Sequence, residues 1–270
     1  MNPDPLSPLA QRIAAAGLDW IAPDWLAPRG VHALVTTRAG GISSGPLATM
    51  NLGGHVGDTD EALAENRRRL RAFLPAEPRW LWQVHGTAVA VQNAQRDSIP
   101  EVADAAITRE RGVVCAVLVA DCLPVLFANR RGTAVGVAHA GWRGLAAGVL
   151  ERTVAGFNSF GVRAGDLVAW LGPAIGPAAF EVDAEVRDAF LAHDRRADAH
   201  FARGAPGKWH ADLCGLARQR LAEGGVNAVG GGGFCTRTDT TRFYSWRRDR
   251  ACGRTAALVW LAPDATVPHV

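Results

Sequence analysis

Lysine is nearly missing from this chain. Lys208 is the only one, so the 29 Lys and Arg are otherwise all arginine. Any site for phosphate or carboxylate must therefore use guanidinium groups, whose planar fork grips such anions through paired N–H donors. Cysteine is scarce as well. Cys115, Cys122, Cys214, Cys235 and Cys252 form no CxxC pair, and their number is odd. That pattern argues against a disulfide framework and predicts reduced thiols in a cytoplasmic protein. No run of about 18 apolar residues occurs, so no transmembrane helix is expected. The start, Met1-Asn2-Pro3-Asp4, lacks a basic segment followed by an apolar one, which predicts no signal peptide. A net charge of +3 is too small to argue for nucleic acid. Internal repeats and charged linkers are absent. The eight histidines are His32, His55, His85, His139, His193, His200, His210 and His269. They form no HxH pair of the sort a multicopper oxidase needs for its several ions.

What is present is enough apolar sequence for a substantial core: 48% of the 270 residues are hydrophobic and 20% charged. Residues 1–30 are proline-rich and are expected to wrap the surface, with Trp20 and Trp25 as anchors. Val31 to Thr37 reads as a strand. A long Gly/Ser/Pro-rich loop follows and runs to Asp58; loops of that length in compact domains tend to be functional. Asp60 to Leu74 reads as a helix with Leu63, Leu70 and Leu74 on one face and an arginine run on the wet side. Strands are predicted at Trp80 to Val84, Ala88 to Val91, Val113 to Val119, Pro124 to Ala128, Thr133 to His139 and Leu167 to Leu171. Several look buried on both faces. Helices are predicted at Gly144 to Phe157, Asp183 to Ala192 and Asp212 to Ala222. The glycine run Gly230 to Gly233 is expected to hold no regular structure. Arg242 to Arg248 and Arg254 to Leu261 read as closing strands. Strands cluster instead of alternating strictly with helices, which argues for one mixed α/β domain and against a plain doubly wound fold.

Three segments carry the chemistry: Gln83-Val84-His85-Gly86, Ala120-Asp121-Cys122-Leu123-Pro124 and His139-Ala140-Gly141-Trp142-Arg143-Gly144. Each lies at the end of an apolar run and offers one donor for a soft or borderline metal: His85, Cys122 or His139. Pro124 cannot donate to a sheet ladder, so the strand must break beside Cys122. Two imidazoles and a thiolate leave a fourth tetrahedral position open, as in catalytic zinc sites. Two chemistries fit these residue types. A metal held by the three would activate water. Without metal, Cys122 paired with a histidine would be a thiolate nucleophile. Asp121, beside Cys122, is a candidate proton shuttle. The glycine-rich turn after His139 opens a helix whose free N–H groups, with Arg143, suit an anion. Arg247, Arg248 and Arg38 are further candidates for binding phosphate.

These motifs resemble one known family. Together with Thr36-Thr37-Arg38-Ala39-Gly40-Gly41, Asn51-Leu52-Gly53, His55-Val56-Gly57-Asp58, Asn66-Arg67, Ala103-Asp104-Ala105, Gly172-Pro173-Ala174-Ile175-Gly176, Cys235-Thr236 and Trp246-Arg247-Arg248-Asp249, they follow the order seen in YfiH-like, laccase-domain proteins from about residue 31 onward. The resemblance implies an α+β fold of mixed β-sheets forming a layered core flanked by helices, as a single domain over residues 1–270. It implies zinc, with copper as the second candidate, on His85, Cys122 and His139, which would also be the catalytic residues. Arg38, Asn51, Gln83, Arg143 and Arg247 would then bind substrate and phosphate. The implied activity is phosphorolysis of purine nucleosides (adenosine, inosine, guanosine and methylthioadenosine) to base and sugar 1-phosphate, with adenosine deamination at the same site. The alternatives are an amidohydrolase editing a muramyl dipeptide of peptidoglycan synthesis and a copper-dependent polyphenol oxidase. The partners are thus a purine nucleoside and phosphate, with no nucleic acid and no membrane, in a monomer or homodimer. One departure stands out. After Gly176-Pro177 the family commonly has Cys-Cys-Tyr-Glu-Val, where this chain has Ala178-Ala179-Phe180-Glu181-Val182. That removes the extra thiols a copper redox role would use and leaves the three metal donors untouched.

Overall fold

Alternation of side chains along two central strands determines the architecture. In β4 (Val114–Val119), Val114 and Ala116 point one way while Cys115 and Val117 point the other. In β12 (Thr255–Leu261), Ala256, Leu258 and Trp260 oppose Ala257, Val259 and Leu261 in the same manner. Both faces are apolar, so each sheet must be covered twice. The result is four layers, seen in a computed structural model that describes residues 7–95 and 99–264.

β12 lies between β1 (Val31–Val35) and β4 in an antiparallel three-stranded sheet. Its outer face packs on α1 (Pro8–Ala15) and α2 (Asp60–Arg71) through Leu9, Ile13 and Leu70. Its inner face meets a six-stranded mixed sheet. That sheet contains β2 (Val89–Val91), β3 (Ala105–Thr108), β5 (Leu123–Asn129), β6 (Val135–Ala140), β7 (Leu167–Leu171) and β11 (Ala228–Gly231), in the order β11-β7-β5-β6-β3-β2. Its far face is covered by α3 (Trp142–Ala147), α4 (Val149–Gly156), α5 (Ala184–Leu191) and α6 (Leu213–Glu223). Fully buried Phe127 of β5 sits in this last layer, where burial of such a ring contributes about 1.5–3 kcal/mol relative to exposure. A small antiparallel sheet of β8 (Glu181–Asp183), β9 (Phe201–Arg203) and β10 (Lys208–Ala211) caps one side. The fold is α+β, with mixed sheets flanked by helices. No helix among the described residues is long and apolar enough to cross a membrane.

Several expectations need correction. The N-terminal segment contains α1, capped by the Ser7 hydroxyl; its Trp20 is buried and Trp25 half-buried. Trp80 to Val84 forms no strand. It makes a single bridge, Trp82 with Val102, beside that of Arg79 with Cys115, and its Leu81, Trp82 and Gln83 line the cavity described below. The helix expected over Gly144 to Phe157 is two helices. Gly148, at φ 100, breaks the run between α3 and α4. Gly230 and Gly231 do hold regular structure, as part of β11 at the sheet edge. A Cβ on Gly231 would lie 2.2 Å from the Leu171 carbonyl oxygen, so this close pairing requires glycine. Arg242 to Arg248 is no strand. It leads into the short helix α7 (Trp246–Asp249), capped by Ser245. β3 and the small third sheet were not anticipated, since their runs are short.

Candidate metal centre and its cavity

Strand register brings the three donors together. The antiparallel pairing of Ala105 with Ala138 continues to set Asp104 opposite His139. The pairing of Leu123 with Ala140 and of Pro124 with His139 sets Cys122 at the adjoining strand end. The parallel pairing of β2 with β3 carries the Gln83–Gly86 segment past Asp104. One atom each from His85, Cys122 and His139 lies within 4.8 Å of the others. Cys122 Sγ is 3.7 Å from His85 Nε2, and the two imidazole rings meet edge to face at 4.7 Å. Tetrahedral zinc with ordinary bond lengths separates its ligand atoms by about 3.5 Å, so the donor set fits such an ion with little movement.

The backbone is bent to achieve this. His85 has φ 60 and Asp121 φ 84, left-handed conformations that cost a residue with a side chain about 1–3 kcal/mol. Gly141 is obligatory here: a Cβ on it would sit 2.9 Å from both Cys122 Sγ and His85 Cδ2.

Asp104 organises the cluster. Its buried carboxylate accepts from the backbone N–H of His85 at 2.9 Å, Gly86 at 2.7 Å and Val84 at 3.1 Å. Its Oδ1 also bonds His139 Nδ1 at 2.8 Å, which turns Nε2 of that ring toward the donors. Burial pushes the Asp104 carboxyl up, but the His139 and backbone N–H bonds outweigh it and leave the pKa lowered. Burial likewise raises Cys122, yet His139 and His85 bring its thiol down to about 6. Burial lowers His139, while Cys122 and Asp104 raise it to about 9. Each partner thus favours the charged form of the other, and metal binding to such a set is coupled to proton release. Asp104 was assigned no chemistry from the sequence beyond its place in the Ala103-Asp104-Ala105 motif.

The three donors line a cavity of about 630 Å³. Of the residues expected to bind substrate, Gln83, Arg143 and Arg247 line it. The Gln83 amide is clamped to the backbone of Leu118, donating at 2.9 Å and accepting at 2.8 Å. Arg143 is exposed and lies 4.4 Å from the Trp142 ring centre. Arg247 donates to the Glu181 carbonyl and stacks on Phe180. Arg250 and Arg254 also line the cavity and were not singled out from sequence; His55, which lines it too, was noted only within the His55-Val56-Gly57-Asp58 motif. The sole acid in the lining is Asp121. Its carboxylate is engaged by the Thr236 hydroxyl at 2.6 Å, the Ser245 hydroxyl at 3.0 Å and the Arg247 N–H at 2.6 Å. It thus fastens the C-terminal segment to the cluster.

Arg38 and Asn51 lie outside the lining. Arg38 donates to the carbonyls of Ala48 and Thr240, each at 3.0 Å, and packs on Tyr244. Buried Asn51 accepts from the N–H groups of Gly53 and Arg254 and donates to Asp58. It reaches the cavity only through Arg254. The expected anion site at the start of α3 rests on a helix of six residues, so the cationic character of the cavity comes from side chains. Arg143 and Arg250 have no carboxylate in ion-pair contact among the described residues.

Known proteins resemble this chain in sequence and fold. The profile of a family described as multi-copper polyphenol oxidoreductase laccase matches residues 32–262. A Pseudomonas aeruginosa protein named purine nucleoside phosphorylase is 54% identical over 243 residues, which is 90% of this chain and 98% of that protein. The Escherichia coli K12 purine nucleoside phosphorylase YfiH is 50% identical, with 89% and 98% covered. The crystal structure of the Neisseria meningitidis protein NMB0706 superposes with a TM-score of 0.85 at 46% identity, covering 90% of this chain and 99% of that one. On sequence, topology and extent alike, this chain belongs to the YfiH-like, multi-copper polyphenol oxidoreductase laccase family.

Proposed function

We propose that the chain is a zinc-dependent purine nucleoside phosphorylase. Adenosine, inosine, guanosine and methylthioadenosine react with phosphate to give base and sugar 1-phosphate, and adenosine is also deaminated at the same site. The supporting observation is the convergence of His85, Cys122 and His139 inside a cavity walled by Arg143, Arg247, Arg250 and Arg254 with one acid, itself hydrogen-bonded. The names of the similar bacterial proteins point the same way. A thiolate with two imidazoles favours zinc or Cu(I) over magnesium. Among the described residues this is the one such cluster of donors, which favours a single ion over the several coppers of a laccase.

When bound, zinc supplies a Lewis acid with one open coordination position. The rest falls to the chain. Asp104 fixes the His139 ring and the His85 backbone, so the donors are arranged before an ion arrives. Arg143 and Arg250, free of carboxylates, take the phosphate, while Arg247 and Arg254 are braced by backbone carbonyls at its side. The C1′–N9 bond breaks with its electron pair leaving on the purine, and a phosphate oxygen bonds to C1′. Guanidinium groups held in place neutralise the charge that moves in this step. Gln83 shapes the wall through its Leu118 clamp. Arg38 and Asn51 act at one remove by holding the loop and Arg254.

The test is to incubate the purified protein with adenosine, with and without phosphate, and follow adenine, inosine and ribose 1-phosphate. Phosphate-dependent adenine that disappears in Cys122→Ala is the expected result. No product at any zinc level would refute the reading, and cleavage of a muramyl dipeptide under the same conditions would put the amidohydrolase in its place.

A further inference from the structure

All nine tryptophans, all nine phenylalanines and Tyr244 fall within the described residues. Only two of these rings are exposed: Trp82 at 62% and Trp246 at 48%. Both line the cavity that holds His85, Cys122 and His139. Large aromatic surface left in water is costly, and its confinement to one cavity calls for a ligand with an apolar face.

Neither ring rides on a loose loop. The Trp82 N–H donates to the Glu101 carbonyl at 2.8 Å, and the Ala103 N–H donates to the Trp82 carbonyl at 3.2 Å. Three residues later the same segment delivers His85, anchored on Asp104. Trp246 opens α7, between Ser245 and Arg247, and both neighbours are bonded to Asp121, which adjoins Cys122. Each tryptophan is therefore placed relative to the donor cluster, through two different carboxylates. The Arg254 guanidinium sits 5.9 Å from the Trp246 ring centre, so cation and aromatic surface are offered together. A ligand that suits both carries a flat ring and reacts beside an anion.

We propose that Trp82 and Trp246 form the purine-binding wall of the cavity, stacking on the base while the arginines hold phosphate. This rests on the nucleoside reading above and names the residues that would select a planar base. A muramyl peptide has no aromatic ring and gains nothing from such a wall. Both side chains are exposed, and neither indole N–H is hydrogen-bonded among the described residues, so their replacement leaves the core untouched.

Steady-state phosphorolysis by zinc-loaded Trp82→Ala, Trp82→Phe and Trp246→Ala tests the proposal. Stacking of a base on an aromatic side chain predicts a KM for adenosine about 10-fold or more higher in each alanine variant, with Trp82→Phe close to wild type and the KM for phosphate changed less than about twofold. Unchanged adenosine KM in both alanine variants would overturn it. So would a rise in both KM values together, which marks a general disturbance of the site. If wild type proves to have no phosphorylase activity, equilibrium dialysis with adenine still decides. Wild-type binding that weakens in the alanine variants upholds the wall without the reaction, and equal or absent binding rejects it.

Discussion

Two buried carboxylates flank the donor cluster and do opposite work. Asp104 faces inward, gathering three backbone N–H groups and one imidazole from the ligand-bearing segments. Asp121 faces the C-terminal segment, gathering Thr236, Ser245 and the Arg247 N–H from residues more than a hundred positions away. One arranges metal donors and the other closes a cavity wall. The residue type and the neighbourhood are alike; only the direction of the carboxylate differs. A buried acid next to a candidate metal-binding cysteine is therefore no evidence of proton transfer until its partners are known.

That contrast can be broken at several points. The largest effect should come from metal itself, which acts through the Asp104 side. With free zinc about 1,000-fold above its dissociation constant, chelation should cost about 4 kcal/mol of stability, read by urea unfolding with and without chelator. Equal midpoints in the two conditions would mean that no ion is held. Asp121→Ala should come next, at about 3 kcal/mol, because it strands buried Thr236, Ser245 and the Arg247 N–H. Its zinc affinity should stay near wild type, and a large loss there would erase the division of labour.

Asp104→Asn keeps the shape but weakens the bond that orients His139. Zinc affinity should fall about 10- to 100-fold, measured by competition with a fluorescent chelator. If affinity is unchanged, the His139 ring is held by packing alone. Gly148→Ala touches neither carboxylate. At φ 100 the added Cβ should cost about 1–2 kcal/mol of stability and leave zinc affinity alone. A loss of zinc in that variant would mean that the α3–α4 break is coupled to the site.

Legibility in the sequence followed the range of the interactions. β7 at Leu167–Leu171 is legible to the residue, and β4, β5 and β12 nearly so, because their Val, Phe and Trp carry a β preference and their Leu and Ala add apolar burial. The Trp80 to Val84 and Arg242 to Arg248 segments look equally strand-like. Both were misread because their backbone is claimed by carboxylates distant in sequence: Asp104 takes the N–H of Val84, and Asp121 takes that of Arg247. Among the cavity arginines, Arg143 and Arg247 stood in conspicuous motifs. Arg250 and Arg254 did not, since the turn that aims them exists only after α7 is pinned to Asp121.

What the sequence determined by itself is the donor inventory: a cysteine close to a strand-breaking proline, and two histidines each followed within two residues by a glycine. It also settled the use of arginine for any anion, since only one lysine exists to compete. The tertiary structure decided which acid serves the metal donors, which one serves the wall, and which two of nine tryptophans remain in water. The physical reason is register. Side-chain chemistry is local to a residue, but the pairing of Ala105 with Ala138 and of Pro124 with His139 is what gathers two strand ends and the Gln83–Gly86 segment into one site.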